Sequence, residues 1–433
     1  MKNNTDLSTE KEVILKTKKK VTPLTISLVI ISFVAIISLY VFFKNYNLVS
    51  SYSNKVYPGI YVLNKDLSSL TSEELLNELN LLSDALINKT IKATFSDKEF
   101  TLTYDELEYK LNVNELSEQI LAYGKDNSFF TKLKLIKEPQ NKEFNFTFTY
   151  NDEALNTFID KIYDDLYLDP INASIDISYG NINVSEEVSG LELNSDKLKE
   201  DLIASLEDFT VDSDVNITLE TKAVNPSITS EALSTVNRKL SSFSTKFIYG
   251  PSGTNLQKAT YNIDNNIIMP GETYSTDKSI GPTTLERGFV YSNTYVGGEV
   301  VKGLGGGVCQ VSSTLYNTIL HAGIIPIERM NHMMPVGYIG IGLDATLADN
   351  LIDLKFVNDT EYPMVINSTA ENGILTIELW SNEANDDGIN YETYREFQSE
   401  LSVDTYLHGY DSAGNLVFNQ YLDRSTYEPL PTN

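Results

Sequence analysis

The sequence predicts an α+β protein. A single N-terminal transmembrane helix leads into two small α+β repeat modules and then a mixed α+β domain, in which a cysteine-bearing helix packs on a β-sheet. Three observations predict it. An uncharged run from Leu24 to Phe43 is long enough to cross a bilayer core. A strand, acidic turn, short strand and amphipathic helix occur in the same order at Phe100–Leu121 and at Gly180–Ile203. Beyond Ser275, glycine-rich turns give way to a helical pattern after Cys309 and then to strand-like alternation.

At the N-terminus, Lys16, Lys18, Lys19 and Lys20 precede the apolar run, which ends in aromatics and Lys44. A signal peptide would have a shorter apolar region and a small-residue cleavage site. The run therefore reads as a signal anchor at 24–43 that engages the lipid bilayer through Leu24–Phe43. The lysines put the 1–23 tail in the cytoplasm and the rest of the chain outside. The formal charge is −27 over 433 residues, with 41% apolar and 21% charged residues. That composition is globular. With no basic cluster outside the N-terminus, it excludes nucleic acid as a partner.

The first module is expected at 57–140. Thr71 is its helix N-cap, with Glu74 completing a capping box and Leu75, Leu79 and Leu82 forming the apolar stripe. A strand pair with its turn at Ser96–Lys98 follows, then a helix that stops at Gly124. The second module is expected at 141–221, and a helical connection at 222–270. The next domain, 271–382, should carry strands at Val336–Ile341, Leu351–Phe356, Met364–Asn367 and Ile374–Trp380. A β-hairpin extension, 383–433, turns at "DSAGN". The acidic stretch Glu383–Gly388 is not a calcium loop, because the twelfth position is Tyr394 rather than glutamate.

Cys309 is the chain's one cysteine, and an exported domain usually has paired cysteines or none. Val311, Leu315 and Ile319 give one helical face after it, and Gly323 with Pro326 gives the stop. The thiol thus falls in a first helical turn, where unpaired N–H groups favour thiolate. Gly305, Gly306 and Gly307 let backbone N–H groups turn inward and a substrate backbone approach. Of three histidines, His321 lies about 18 Å along the same helix, and His408 falls in the C-terminal hairpin. His332 precedes a predicted strand that Asp344 ends, so Cys309, His332 and Asp344 can form a nucleophile, base and orienting acid. The competing reading is burial, since lone cysteines often pack as small hydrophobes. One thiol and three histidines do not make a closed zinc set, so no metal or cofactor is expected.

The stretches "YSTDKSIGPTTLERGFVYSNTYVGG", "GLGGGVCQVSSTLYNTIL", "IERMNHMMPVGYIGIGLDATL" and "LKFVNDTEYPMVI" resemble the VanW domain over Ser275–Trp380. The two modules resemble the peptidoglycan-binding domain that often precedes it. The resemblance implies an envelope location and a link to peptidoglycan or its stem peptides, but supplies no reaction. Where relatives tend to read His-Ser, this chain has His332-Met333, which weakens a role for the following residue and not for the histidine. Cys309, Gln310, His332 and Asp344 all fall inside the matching motifs. Gln310 and the backbone near Gly307 are then candidates to hold an oxyanion; Ser312 and Arg329 are candidates to bind substrate. The expected activity is acyl transfer or amide hydrolysis on stem peptides or a surface protein. The alternative is a non-catalytic peptidoglycan-binding scaffold with a structural cysteine.

Overall fold

A computed structural model describes residues 22–210, 213–296 and 299–430. The lysine cluster at 16–20 lies outside the described residues. A helix runs from Pro23 to Ser51, with Pro at its first turn and none of its residues buried. Its most apolar 18-residue window has a mean hydropathy of 2.7, enough in length and composition to cross a membrane.

The remaining chain divides into two compact units. One comprises residues up to Leu166 together with Leu193–Lys222. In it, Thr71 caps the helix Ser72–Ile87 through a reciprocal box with Glu74. Leu75 and Leu79 are fully buried, and Leu82 packs half-buried beside them. The strand Thr90–Phe95 lies between Lys98–Thr103, antiparallel, and Val215–Thr218, parallel. Ile91, Leu102, Leu155, Leu198 and Leu202 meet in one core, so segments from both predicted modules share a single apolar interior.

The other unit comprises Tyr167–Glu192 and residues from Ala223 onward. Its central sheet has the order Arg238–Lys246, Ile374–Ser381, Met364–Glu371, Asn266–Ile268, all antiparallel. Two helices, Pro251–Ile263 and Val308–His321, cover one face of it. Val311, Leu315 and Ile319 of the cysteine helix are fully buried against Ile377 and Leu379 of the sheet and Leu256 and Ala259 of the neighbouring helix. Burial of each such side chain contributes about 1.5–3 kcal/mol. That packing sets where the first turn, and Cys309 with it, must sit.

Several element expectations are corrected. The stretch after Ser227 forms only a four-residue helix, Ser230–Leu233, before the strand Arg238–Lys246. Alternation in "RKLSSFSTK" turns Ser241 and Thr245 inward, and period two wins over helical spacing. Val336–Ile341 forms no strand. Pro335 removes a ladder donor, and Gly340 presses so close to Arg395 that a Cβ there would lie 2.3 Å from the guanidinium. Leu351–Phe356 shrinks to Lys355–Val357, paired with Thr273–Ser275. The expected pair of C-terminal strands, Ser402–Tyr410 and Leu416–Thr426, gains a third partner, Asn390–Ser399.

Candidate active site

The site begins at the glycine turn. Gly307 caps the cysteine helix with φ 105°, a left-handed conformation open to glycine. A Cβ on it would fall 2.4 Å from the Ser252 carbonyl oxygen, and one on Gly306 would fall 2.2 Å from that of Asn293. Fully buried Asn255 holds this turn: its amide nitrogen donates to the carbonyls of Val290 and Gly306, each at 3.0 Å. The starts of two helices, at Ser252 and at Val308–Cys309, therefore meet at one place. Among the described residues, no protein acceptor takes the Cys309 backbone N–H, as expected for a first-turn amide.

The sulfur is only half-buried. It lies on the wall of a cleft of about 540 Å³, lined also by His332, Leu347, Asp277 and Asp349. The Leu347 peptide brackets it: the thiol donates to the carbonyl at 3.6 Å, and the N–H donates to the sulfur at 3.5 Å. His332 lines the same cleft, close enough for the sulfur to influence its charge. Its Nδ1 is 2.7 Å from Asp344 Oδ2, which leaves Nε2 as the ring nitrogen available for proton transfer. Burial opposes charge on this imidazole, but the Asp344 carboxylate and the Cys309 sulfur outweigh it and raise His332 to about 9. Both partners thus favour the protonated ring.

Asp344 is 1% exposed. Burial pushes its carboxyl up, yet hydrogen bonds from the His332 ring, the His332 backbone N–H (2.6 Å) and the Tyr427 hydroxyl hold it below its ordinary range. Tyr427 lies just past the end of the C-terminal strand Leu416–Thr426, a segment that no catalytic pattern in the sequence marks.

The structure brings Cys309, His332 and Asp344 together, on a helix and an irregular loop rather than on a helix and strands. Gly305, Gly306 and Gly307 line the cleft beside them. Gln310 is corrected as an oxyanion donor: its side-chain amide is spent on Thr245 Oγ1 at 2.9 Å and the Lys246 carbonyl at 2.8 Å. Ser312 is corrected as a substrate contact, being fully buried and outside the cleft lining. Arg329 is corrected likewise. Its side chain is 4% exposed, pairs with Asp344 and Asp423, and donates to Ser425 Oγ at 2.9 Å. His321 stacks edge-on against Phe243, and His408 lies flat on Tyr394, both away from the sulfur.

Comparison with known proteins adds the family. Residues 252–380 match the family described as "VanW like protein", and residues 100–210 match "Putative peptidoglycan binding domain". The chain is 30% identical to the uncharacterized protein YoaR of Bacillus subtilis over 234 residues, 53% of this chain and 75% of that one. It is 31% identical to the vancomycin B-type resistance protein VanW of Enterococcus faecalis over 112 residues, 25% of this chain and 41% of that one. No solved structure gives a significant match. The VanW match spans the glycine turn, the cysteine helix and the histidine loop, and a peptidoglycan-binding domain stands before it: the chain belongs to the VanW family and is a cell-envelope protein.

Proposed function

We propose that this is a membrane-anchored, extracytoplasmic cysteine enzyme that cleaves or transfers an amide of peptidoglycan stem peptides or of a surface protein. One observation carries the reading: a half-buried sulfur at a helix start shares a cleft with a histidine that a buried carboxylate orients. An imidazolium beside a sulfur is the pairing that favours thiolate. The thiolate attacks the substrate carbonyl, an S–C bond forms and the π electrons move to oxygen. The amide N–H groups at the helix start, Cys309 N–H among them, face the resulting negative charge. On collapse the C–N bond breaks and the His332 proton passes to the leaving amine. Water or a second amine then attacks the thioester, with neutral His332 as base, and restores the thiol.

The cleft lining supports an internal amide over a C-terminal one. Among the described residues it holds Asp277 and Asp349 and neither lysine nor arginine, and Arg329 is sequestered, so acidic side chains rather than a guanidinium or ammonium meet the substrate there. The apolar Pro23–Ser51 helix supports the anchor, and the lysines before it support a cytoplasmic N-terminus.

The test is incubation of the full chain, in detergent micelles, with purified sacculi and soluble muropeptides, read by mass spectrometry. New amide-cleaved or cross-linked species that vanish in Cys309→Ala support the enzyme. Sacculus binding without products, combined with a Cys309 that resists alkylation in the native protein, overturns it in favour of a scaffold.

A further inference from the structure

The histidine loop is held from outside the matched VanW segment. Residues 423–428 run beside residues 329–334 and bond to them repeatedly. Arg329 pairs with Asp423 and donates to Ser425 Oγ. The Asn331 side chain donates to the Thr426 carbonyl at 3.0 Å, and the Glu428 N–H donates to the Met333 carbonyl at 2.7 Å. Tyr427, set between these contacts, reaches past the loop to Asp344.

We propose that Tyr427 is a positioning residue of the active site, fixing the Asp344 carboxylate in the orientation that presents Oδ2 to His332. The inference rests on the cysteine-enzyme reading above. The two carboxylate oxygens are unequally served. Oδ2 accepts two bonds from His332, at 2.6 and 2.7 Å. Oδ1 has the Tyr427 hydroxyl as its close partner, and Arg329 Nη2 stands off at 3.5 Å, the edge of hydrogen-bond reach. Tyr427 is itself pinned, accepting the Gly342 N–H at 2.7 Å, so one hydroxyl ties together residues two apart on the loop. Without that hydroxyl, Oδ1 is a buried acceptor short of a partner. The carboxylate then gains by rotating toward the guanidinium, which draws Oδ2 away from Nδ1. The titratable or charged groups facing the His332–Asp344 pair are Cys309, Tyr316, Tyr338, Arg329, Asp423 and Tyr427.

Because the chain has one cysteine, alkylation reports on this site alone. The full chain in detergent is treated with iodoacetamide at pH 6 and pH 9.5, and the ratio of the two rates is measured. An ordinary thiol slows about 300-fold between these values, in proportion to its thiolate. On the enzyme reading wild type slows less than this, because His332, oriented by Asp344, shares the cleft with the sulfur. Tyr427→Phe should move most of the way to the ordinary value while keeping a cooperative thermal transition. Arg424→Met provides the control, because it breaks the cross-strand Arg424–Asp404 pair without touching Asp344, and should keep the wild-type ratio. A wild-type ratio below the ordinary value that Tyr427→Phe leaves unchanged overturns the positioning role and spares the enzyme reading. A wild-type ratio already near 300-fold overturns both.

Discussion

Replacing Asp344 by asparagine alters one atom's chemistry at nearly constant shape, and its cost follows from counting donors. Every group that approaches the carboxylate is a donor: the His332 backbone N–H, His332 Nδ1–H, the Tyr427 hydroxyl and Arg329 Nη2. An amide offers one acceptor oxygen and one NH₂. If the oxygen faces His332, the NH₂ faces Tyr427 and the guanidinium. If the NH₂ faces His332, it meets a backbone N–H that cannot turn. Either way about two charge-assisted bonds of roughly 1.5–3 kcal/mol each are lost. Arg329 keeps Asp423, which limits the damage to its buried charge. A total of about 3–5 kcal/mol, the usual range for breaking a buried pair, lowers the melting temperature of a unit this size by roughly 10 °C. Calorimetry of the full chain in detergent measures it, with the alkylation ratio as the functional companion. If Asp344→Asn melted within 2 °C of wild type, the carboxylate would not be the hub drawn here, and the orientation of His332 would need another cause.

Two further outcomes follow from the same geometry. Gly306→Ala forces a methyl against the Asn293 carbonyl and, at 2.4 Å, the Ser292 hydroxyl, disturbing the bonds from Asn255 and Ser292 to the Gly306 carbonyl; urea unfolding should show a loss of about 2–4 kcal/mol, whereas Gly271→Ala, whose Cβ meets nothing within 4 Å, should lose less. Acid should weaken the fold through Asp344: a carboxyl held below its unfolded value adds stability that is present above that value and is lost as pH falls through the folded one. Urea midpoints at pH 5 and pH 3 should therefore separate more in wild type than in Asp344→Asn, and equal separations would count against the depressed carboxyl.

What the sequence displays and what it hides divide along physical lines. Periodicity marks the cysteine helix, its buried face of Val311, Leu315 and Ile319, and its stop at Gly323, because those positions are governed by local burial. Capping chemistry marks Thr71 for the same reason. The glycine run marks the turn before Cys309. Alternation over Val336–Ile341 misleads, because Pro335 lacks a ladder donor, and Gly340 and the following Gly342 approach Arg395 and Thr405 closely instead of pairing in a strand. Gln310 looks like an oxyanion donor by its place beside the thiol, yet its side chain points to the edge strand Arg238–Lys246. Arg329 looks like a carboxylate clamp, and is one, but for the protein's own Asp344 and Asp423.

The histidine loop explains why those partners stay hidden. Rich in glycine and without strand or helix, it cannot fix a carboxylate to within the fraction of an ångström that an oriented imidazole needs. A buried ion pair rarely stabilises a fold enough to account for itself, since desolvation consumes most of the attraction. Arg329, Asp344 and Asp423 are therefore better understood as specifying one loop conformation than as strengthening the unit. Asp423 and Ser425, on the last strand, and Tyr427, just beyond it, lie more than forty residues past the end of the VanW match at 380, and such contacts leave no period or motif in the chain. A relative that shares the matched segment but pairs nothing with Asp344 would have the cysteine and the histidine without the means to hold them in register. Comparison of activity across the family should follow the residue facing Asp344 as closely as the residues at Cys309 and His332.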